Sequence, residues 1–231
     1  MFRQAAGAIG AAAALAACSS SGAPAAHPAH TTPADTLSRI SAAAAAATYS
    51  ATYSFFEAAG SQTATVQVWR NAPSLRVDVT ARGTTATLIV GDTATYSCSM
   101  TSAHRACLLV AKAGEPLPAP FSVAPANLFT VYVRQLATRT SDYTVTASTP
   151  PPSPATAAPL NMGDVSCFAV TPKPQAAQPQ VPAGTYCFFS DGVLASVRYP
   201  SGNTISLQSR QTATPPATQF SPYAKPTPLP S

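Results

Sequence analysis

The stretch LRVDV (75–79) places Leu75, Val77 and Val79 on one side of an extended chain and Arg76 and Asp78 on the other. Alternation with period two marks a half-buried strand, and it recurs along much of the sequence. TATVQVWR (63–70) sets Val66 and Val68 against Gln67 and Trp69. ATLIV (86–90) offers Ala86, Leu88 and Val90, and ATYSC (94–98) offers Ala94, Tyr96 and Cys98. The short pieces NAPS, ARGT and GD separate these runs, so they read as antiparallel strands in chain order. Later runs of the same kind are DYTVTAS (142–148), DVSCFAV (164–170), GTYCFFS (184–190), GVLASVRYP (192–200) and NTISLQS (203–209), with SDGV at 190–193 as a tight-turn signal.

Two stretches follow the helical period instead. ADTLSRISAAAAAA (34–47) puts Leu37, Ile40 and Ala44 on one stripe, with Asp35 as the expected N-cap. SVAPANLFTVYVRQLATRT (122–140) brings Leu128, Val131 and Gln135 beside Phe129, Val133 and Leu136, which predicts a helix near 125–138. The order is helix, a run of strands, helix, a second run of strands. So many meandering strands cannot all close over one small core. The expected fold is α+β, a strongly curved antiparallel sheet (a half-barrel) of about 10–11 strands whose concave face is covered by the two helices.

Composition sets the limits of that body. Most of the 24 prolines fall in four stretches, 19–34, 148–162, 172–182 and 213–231, which carry few large apolar residues. Such segments bury too little surface to offset chain entropy and are expected to be extended. The predicted organisation is a signal peptide at 1–17, a Pro/Ala/Ser-rich tether at 18–34, one domain at 35–212 with Pro-rich inserts at 148–162 and 172–183, and a disordered Pro-rich tail at 213–231. Charged residues make up 9% of the chain and the formal charge is +5. The positive charge is spread as single residues, among them Arg39, Arg70, Arg76, Arg82 and Arg105, with no basic stripe. That distribution argues against nucleic acid as a partner.

Residues 1–17, MFRQAAGAIGAAAALAA, combine one Arg with a small-and-apolar run too short to span a bilayer as a helix, the pattern of a secretory signal. The junction Leu15-Ala16-Ala17-Cys18 resembles the lipobox of bacterial lipoproteins. That resemblance implies cleavage before Cys18, diacylation of its thiol, and residence on the outer face of the cytoplasmic membrane. Two acyl chains give stable anchoring where one is marginal. The remaining cysteines, Cys98, Cys107, Cys167 and Cys187, form an even set, which in an oxidising compartment points to two disulfides. Three connectivities are open. The local patterns favour Cys98–Cys107 across the TSAH turn and Cys167–Cys187 across the Pro-rich loop 172–183, since neighbouring strands bring Cβ atoms to bridging distance. A four-thiolate zinc site would want cysteines two to four residues apart, and no such pair occurs, so no metal is expected.

Catalytic signatures are lacking. There is no G-x-S-x-G, no phosphate-cradling glycine loop and no H-E-x-x-H. His27 and His30 lie in the tether and His104 at a hairpin tip. Asp92, Asp142, Asp164 and Asp191 fall at turns or strand starts, where Asp is expected for conformational reasons, and Asp78 beside Arg76 reads as a surface pair. The chain reads as a non-enzyme without a cofactor.

The lipobox at Cys18, the helix 34–47 leading into ATYSATYSFFEA, the segment TVQVWRNAPSLRVDV, the mid-chain helix and the closing CFFSDGVLASVRY hairpin together resemble the half-barrel lipoproteins. These are the LolA-type lipoprotein-localisation fold and related mycobacterial surface lipoproteins that carry lipids. The resemblance implies a membrane-anchored envelope protein that binds or carries a lipid or another hydrophobic small molecule on its concave face. Val66, Val68, Leu75, Val77, Val79, Leu88, Val90 and Tyr96 are the candidate lining residues. The alternative within the same fold is an interaction or sensor module that docks an envelope protein and carries nothing.

Overall fold

A computed structural model describes residues 31–58, 62–115, 117–118, 121, 124–150, 165–174 and 181–229. The expected signal peptide, Cys18, His27, His30, Asp164, residues 151–162 of the first insert and residues 175–180 of the second lie outside those residues. The first helix, α1 (Pro33–Ala46), starts one residue earlier than its apolar stripe suggests. Thr32, not Asp35, is the N-cap. Its hydroxyl accepts from the Asp35 N–H at 3.1 Å, while the Asp35 carboxylate accepts from the Thr32 N–H at 3.2 Å. The two residues form a reciprocal capping box, and Pro33 fills the first helical position, where no donor is missed. The helix ends where Ala47 turns extended, and Thr48, a β-branched residue, opens β1 (Thr48–Phe56).

From β1 the chain runs as a meander: β2 (Gln62–Asn71), β3 (Ser74–Ala81), β4 (Thr84–Val90), β5 (Ala94–Met100) and β6 (Arg105–Lys112). The β3–β4 turn has positive φ at both central residues, Arg82 and Gly83, the geometry that matches strand twist in a two-residue hairpin. The mid-chain helix is one helical path over 124–138 but is not uniform. It consists of α2 (Ala124–Asn127), a π-helical turn (Leu128–Tyr132) and α3 (Val133–Thr138). A second meander follows: β7 (Tyr143–Ser148), β8 (Val165–Pro172), β9 (Gly184–Phe189), β10 (Leu194–Arg198) and β11 (Thr204–Gln211).

The two meanders join through β1 and β11, giving one open sheet of order β12-β6-β5-β4-β3-β2-β1-β11-β10-β9-β8-β7. All described pairings are antiparallel except β12 with β6. The sheet thus has twelve strands rather than ten or eleven, and the addition comes from the segment expected to be disordered. Residues 217–220 form a 3-10 turn and β12 (Pro226–Pro228) pairs with the edge strand β6. Low hydrophobicity misled the expectation here. A few aromatic residues, Phe220 and Tyr223, find an apolar patch on the sheet's outer face.

Both helical pieces lie on the other face. Leu37 and Ile40 of α1 and Leu128, Phe129, Val133 and Leu136 of the mid-chain helix share one core with the strands beneath them. The β9–β10 turn meets α1 backbone to backbone. At Gly192 (φ +87°) an added Cβ would lie 2.3 Å from the Ala44 nitrogen and 2.8 Å from the Ala43 carbonyl carbon. This close approach requires glycine at 192, since any side chain there would hold the turn away from α1.

Candidate functional site

The candidate lining residues divide by strand face. Val66, Val68 and Val77 are fully enclosed (0% exposed), Leu75 and Leu88 nearly so, and Val79 and Val90 are half-buried against the same core. The space above them is taken by the chain's own side chains. Phe129, for example, reaches down to the Tyr53 ring with centroids 5.0 Å apart. Tyr96 does not belong to this set. In register it stands opposite Ile89, which stands opposite Arg76, which stands opposite Trp69. That row forms the convex face, away from the helices, where Tyr96 packs with Ile89 and the Cys98–Cys107 pair. Alternation shows which residues share a face but not which face is covered, and Tyr96 lies on the face opposite the one expected.

Among the enclosed residues is a cation. Arg70 follows Val66 and Val68 at the period-two position on β2 and is 7% exposed. Its guanidinium donates to the Ala45 carbonyl at 3.3 Å and to the Phe129 carbonyl. The first is in the last turn of α1, where carbonyls lack intrahelical partners. The second lies in the π-helical turn. One side chain therefore ties both helical pieces to the sheet. Burial pushes the hydroxyls of Tyr49 and Tyr53 above the ordinary tyrosine range, with the Arg70 charge partly opposing the rise. Both stay neutral at physiological pH. Composition shows Arg70 only as one of several scattered arginines, whereas its spacing from Val66 and Val68 is the signal for a buried position.

At one end of the sheet the covering is incomplete. A cleft of about 1100 Å³ opens between the sheet rim and the helical residues 127–135. Pro73, Val90, Leu117, Val131 and Tyr132 give it apolar walls, and Asp92, Glu115 and Arg134 bring charges of both signs to its lining. Glu115 is already engaged, accepting from the Lys112 N–H at 2.7 Å. Val90 is the one candidate lining residue that borders this cleft.

Both expected disulfides are present, one on each face. Cys167–Cys187 lies in the helix-covered core and Cys98–Cys107 on the convex face. Over the latter runs the segment 212–229, here called the strap. Phe220, Tyr223 and Ala224 pack against Ile89, Tyr96 and the disulfide. Asp78 and Arg76, expected as a surface pair, are instead a bidentate ion pair at 2.7–2.8 Å, with side chains 8% and 13% exposed beneath the strap. The Arg76 guanidinium lies 5.2 Å from the Trp69 ring centre and 5.8 Å from that of Tyr223, and donates to the Gln219 carbonyl at 3.3 Å. His104 sits exposed in the β5–β6 turn, and Asp191 in the β9–β10 turn pairs with Arg210 at 2.9 Å. Among the described residues no three His, Cys, Asp or Glu side chains gather where they could hold a metal ion.

No family model matches the chain, and no curated protein matches it. Among solved structures it is similar to a chain of the Pseudomonas aeruginosa MucA/MucB complex, with 16% identity and a TM-score of 0.48 over 82% of this chain and 60% of that one. A crystal structure of MucB gives 17% identity and a TM-score of 0.44, covering 83% of this chain and 63% of that one. MucB in complex with MucA(peri) gives 17% and 0.41, covering 83% and 60%. The chain thus spans about three fifths of the length of the solved chains it matches.

Proposed function

We propose that this protein is an exported envelope lipoprotein, held to the membrane through an acylated Cys18, that acts by binding another envelope protein and not by catalysis. The observation that carries the reading is the filled concave face. Val66, Val68 and Val77 have no exposed surface because α1 and residues 128–136 occupy the space that a carrier would leave for an acyl chain. Two disulfides and a low charge content suit an oxidising location outside the cytoplasm. Photo-crosslinking of the full protein in intact envelopes tests the reading. It predicts one partner recovered in stoichiometric amount, and recovery of none counts against it.

The rim cleft supports a second reading, carriage of a lipid or other amphiphilic small molecule. Its volume is large enough for a drug-sized ligand, and Val90, Leu117, Val131 and Tyr132 offer an apolar wall. On that reading an apolar fluorescent probe binds at the cleft, and Val131→Arg abolishes the binding without unfolding the chain. Binding unaffected by that substitution removes the cleft as the carrier site.

A further inference from the structure

The strap crosses the convex face and finishes on the edge strand β6, yet shallow contacts hold it. Pro215 is the one buried residue of the strap, and from Pro216 to Leu229 none is fully buried. The β12–β6 ladder is three residues long, and two of the three, Pro226 and Pro228, have no N–H to donate. Thr227 adds one long bond, from its hydroxyl to the Cys107 carbonyl at 3.5 Å. The main core contains no residue beyond Leu207, so it does not depend on the strap.

The surface beneath is better organised than the strap's grip on it. Arg76 is fixed by the bidentate Asp78 pair and by Trp69, and aims a donor at a backbone carbonyl, that of Gln219. Ile89, Tyr96 and the Cys98–Cys107 disulfide form an apolar patch beside it. The β6 edge next to that patch offers main-chain groups for a strand to pair with, and β12 uses them. Rings, a carbonyl-reading side chain and a strand edge are the means by which extended proline-containing peptides are held, because such peptides present carbonyls and flat apolar rings but few donors. The strap, with Pro222, Pro226 and Pro228, is a peptide of this kind already seated on the patch.

We propose that this patch on the convex face is a docking site for an extended, proline-containing peptide of an envelope partner, and that the strap covers the patch until such a peptide replaces it. This rests on the interaction-module reading and supplies its contact surface. A labelled peptide with the sequence of residues 217–228 is titrated by fluorescence anisotropy into the full chain and into the full-length variant Phe220→Ala/Tyr223→Ala. Self-occupancy lowers the apparent affinity of the parent, so the variant binds the peptide about tenfold more tightly or better. A peptide with alanine in place of the three prolines loses that gain. Equal binding by parent and folded variant overturns the proposal, as does undiminished binding of the alanine peptide.

Hydrogen exchange on the parent chain covers the case of a variant that does not fold. The amides of 217–229 exchange about a hundredfold faster than those of β1 and β2, by local opening. Protection of the strap equal to that of β1 and β2 overturns the proposal. A partner captured in envelopes together with failed peptide binding places the partner's contact elsewhere and leaves the interaction-module reading standing.

Discussion

Replacing Gly192 with alanine perturbs the point where the sheet touches its covering helix. The position has φ +87°, and the new Cβ would lie 2.3 Å from the Ala44 nitrogen and 2.8 Å from the Ala43 carbonyl carbon. These are backbone atoms of α1 and cannot swing aside as a side chain would, so the helix or the turn must move. Holding a non-glycine residue at that φ costs about 1–3 kcal/mol, and overpacking adds about 1–3 kcal/mol. The expected loss is therefore about 2–6 kcal/mol. Gly83 provides the control, because it has φ +76° but nothing within 4 Å of an added Cβ. Gly83→Ala pays only the conformational part, about 1–3 kcal/mol. In a domain of this size each kcal/mol moves Tm by about 2–4 °C, so thermal unfolding of the oxidised protein followed by circular dichroism separates the two variants. Gly192→Ala melts about 10 °C below the parent and Gly83→Ala about 4 °C below it. Equal losses for the two variants would falsify the claim that α1 is seated directly on the β9–β10 turn.

Three further predictions follow from the same packing. Arg70→Met leaves the Ala45 and Phe129 carbonyls without their shared donor, and each unsatisfied buried group costs about 1–3 kcal/mol; hydrogen exchange of α1 and of 128–138 should accelerate before that of β1 and β2, and a uniform change across all of them contradicts the tie. Cys167→Ala/Cys187→Ala removes a bridge closing the longer loop inside the main core, whereas Cys98→Ala/Cys107→Ala removes one under the strap. Each bridge contributes about 2–4 kcal/mol; the first pair should lower the urea midpoint more, and the second should selectively speed exchange at 217–229. The Thr32 hydroxyl and N–H hold the Asp35 carboxyl below 3.8. A depressed carboxyl pKa contributes stability that is present above the unfolded value and is lost as pH falls through the folded value. An NMR titration should therefore place the Asp35 midpoint below that of an ordinary aspartate and raise it in Thr32→Val; a midpoint unchanged by the substitution counts against the capping box.

Much of the body was legible because its strands are half-buried. LRVDV and TATVQVWR carry their alternation openly, and the disulfides follow from cysteines placed symmetrically about two turns. Three features were not legible for physical reasons. The face on which Tyr96 packs depends on register across four strands, which no single run encodes. Arg70 sits where alternation demands a core residue, but composition treats every arginine as a solvated charge. The strap is nearly as proline-rich as the stretches around it, and its order comes from tertiary contacts of Phe220, Tyr223 and Thr227, which local propensity does not contain.

The side chains of α1 and of residues 128–136 cover the concave face, and a chain filled in this way has no room there for a lipid. Native mass spectrometry of the full protein purified from its own envelope tests this most directly. The expected result is the mass of the polypeptide with acyl groups on Cys18 alone, and no apolar molecule released on unfolding. A stoichiometric lipid that leaves only when Val66, Val68 and Val77 are exposed by denaturation would contradict it.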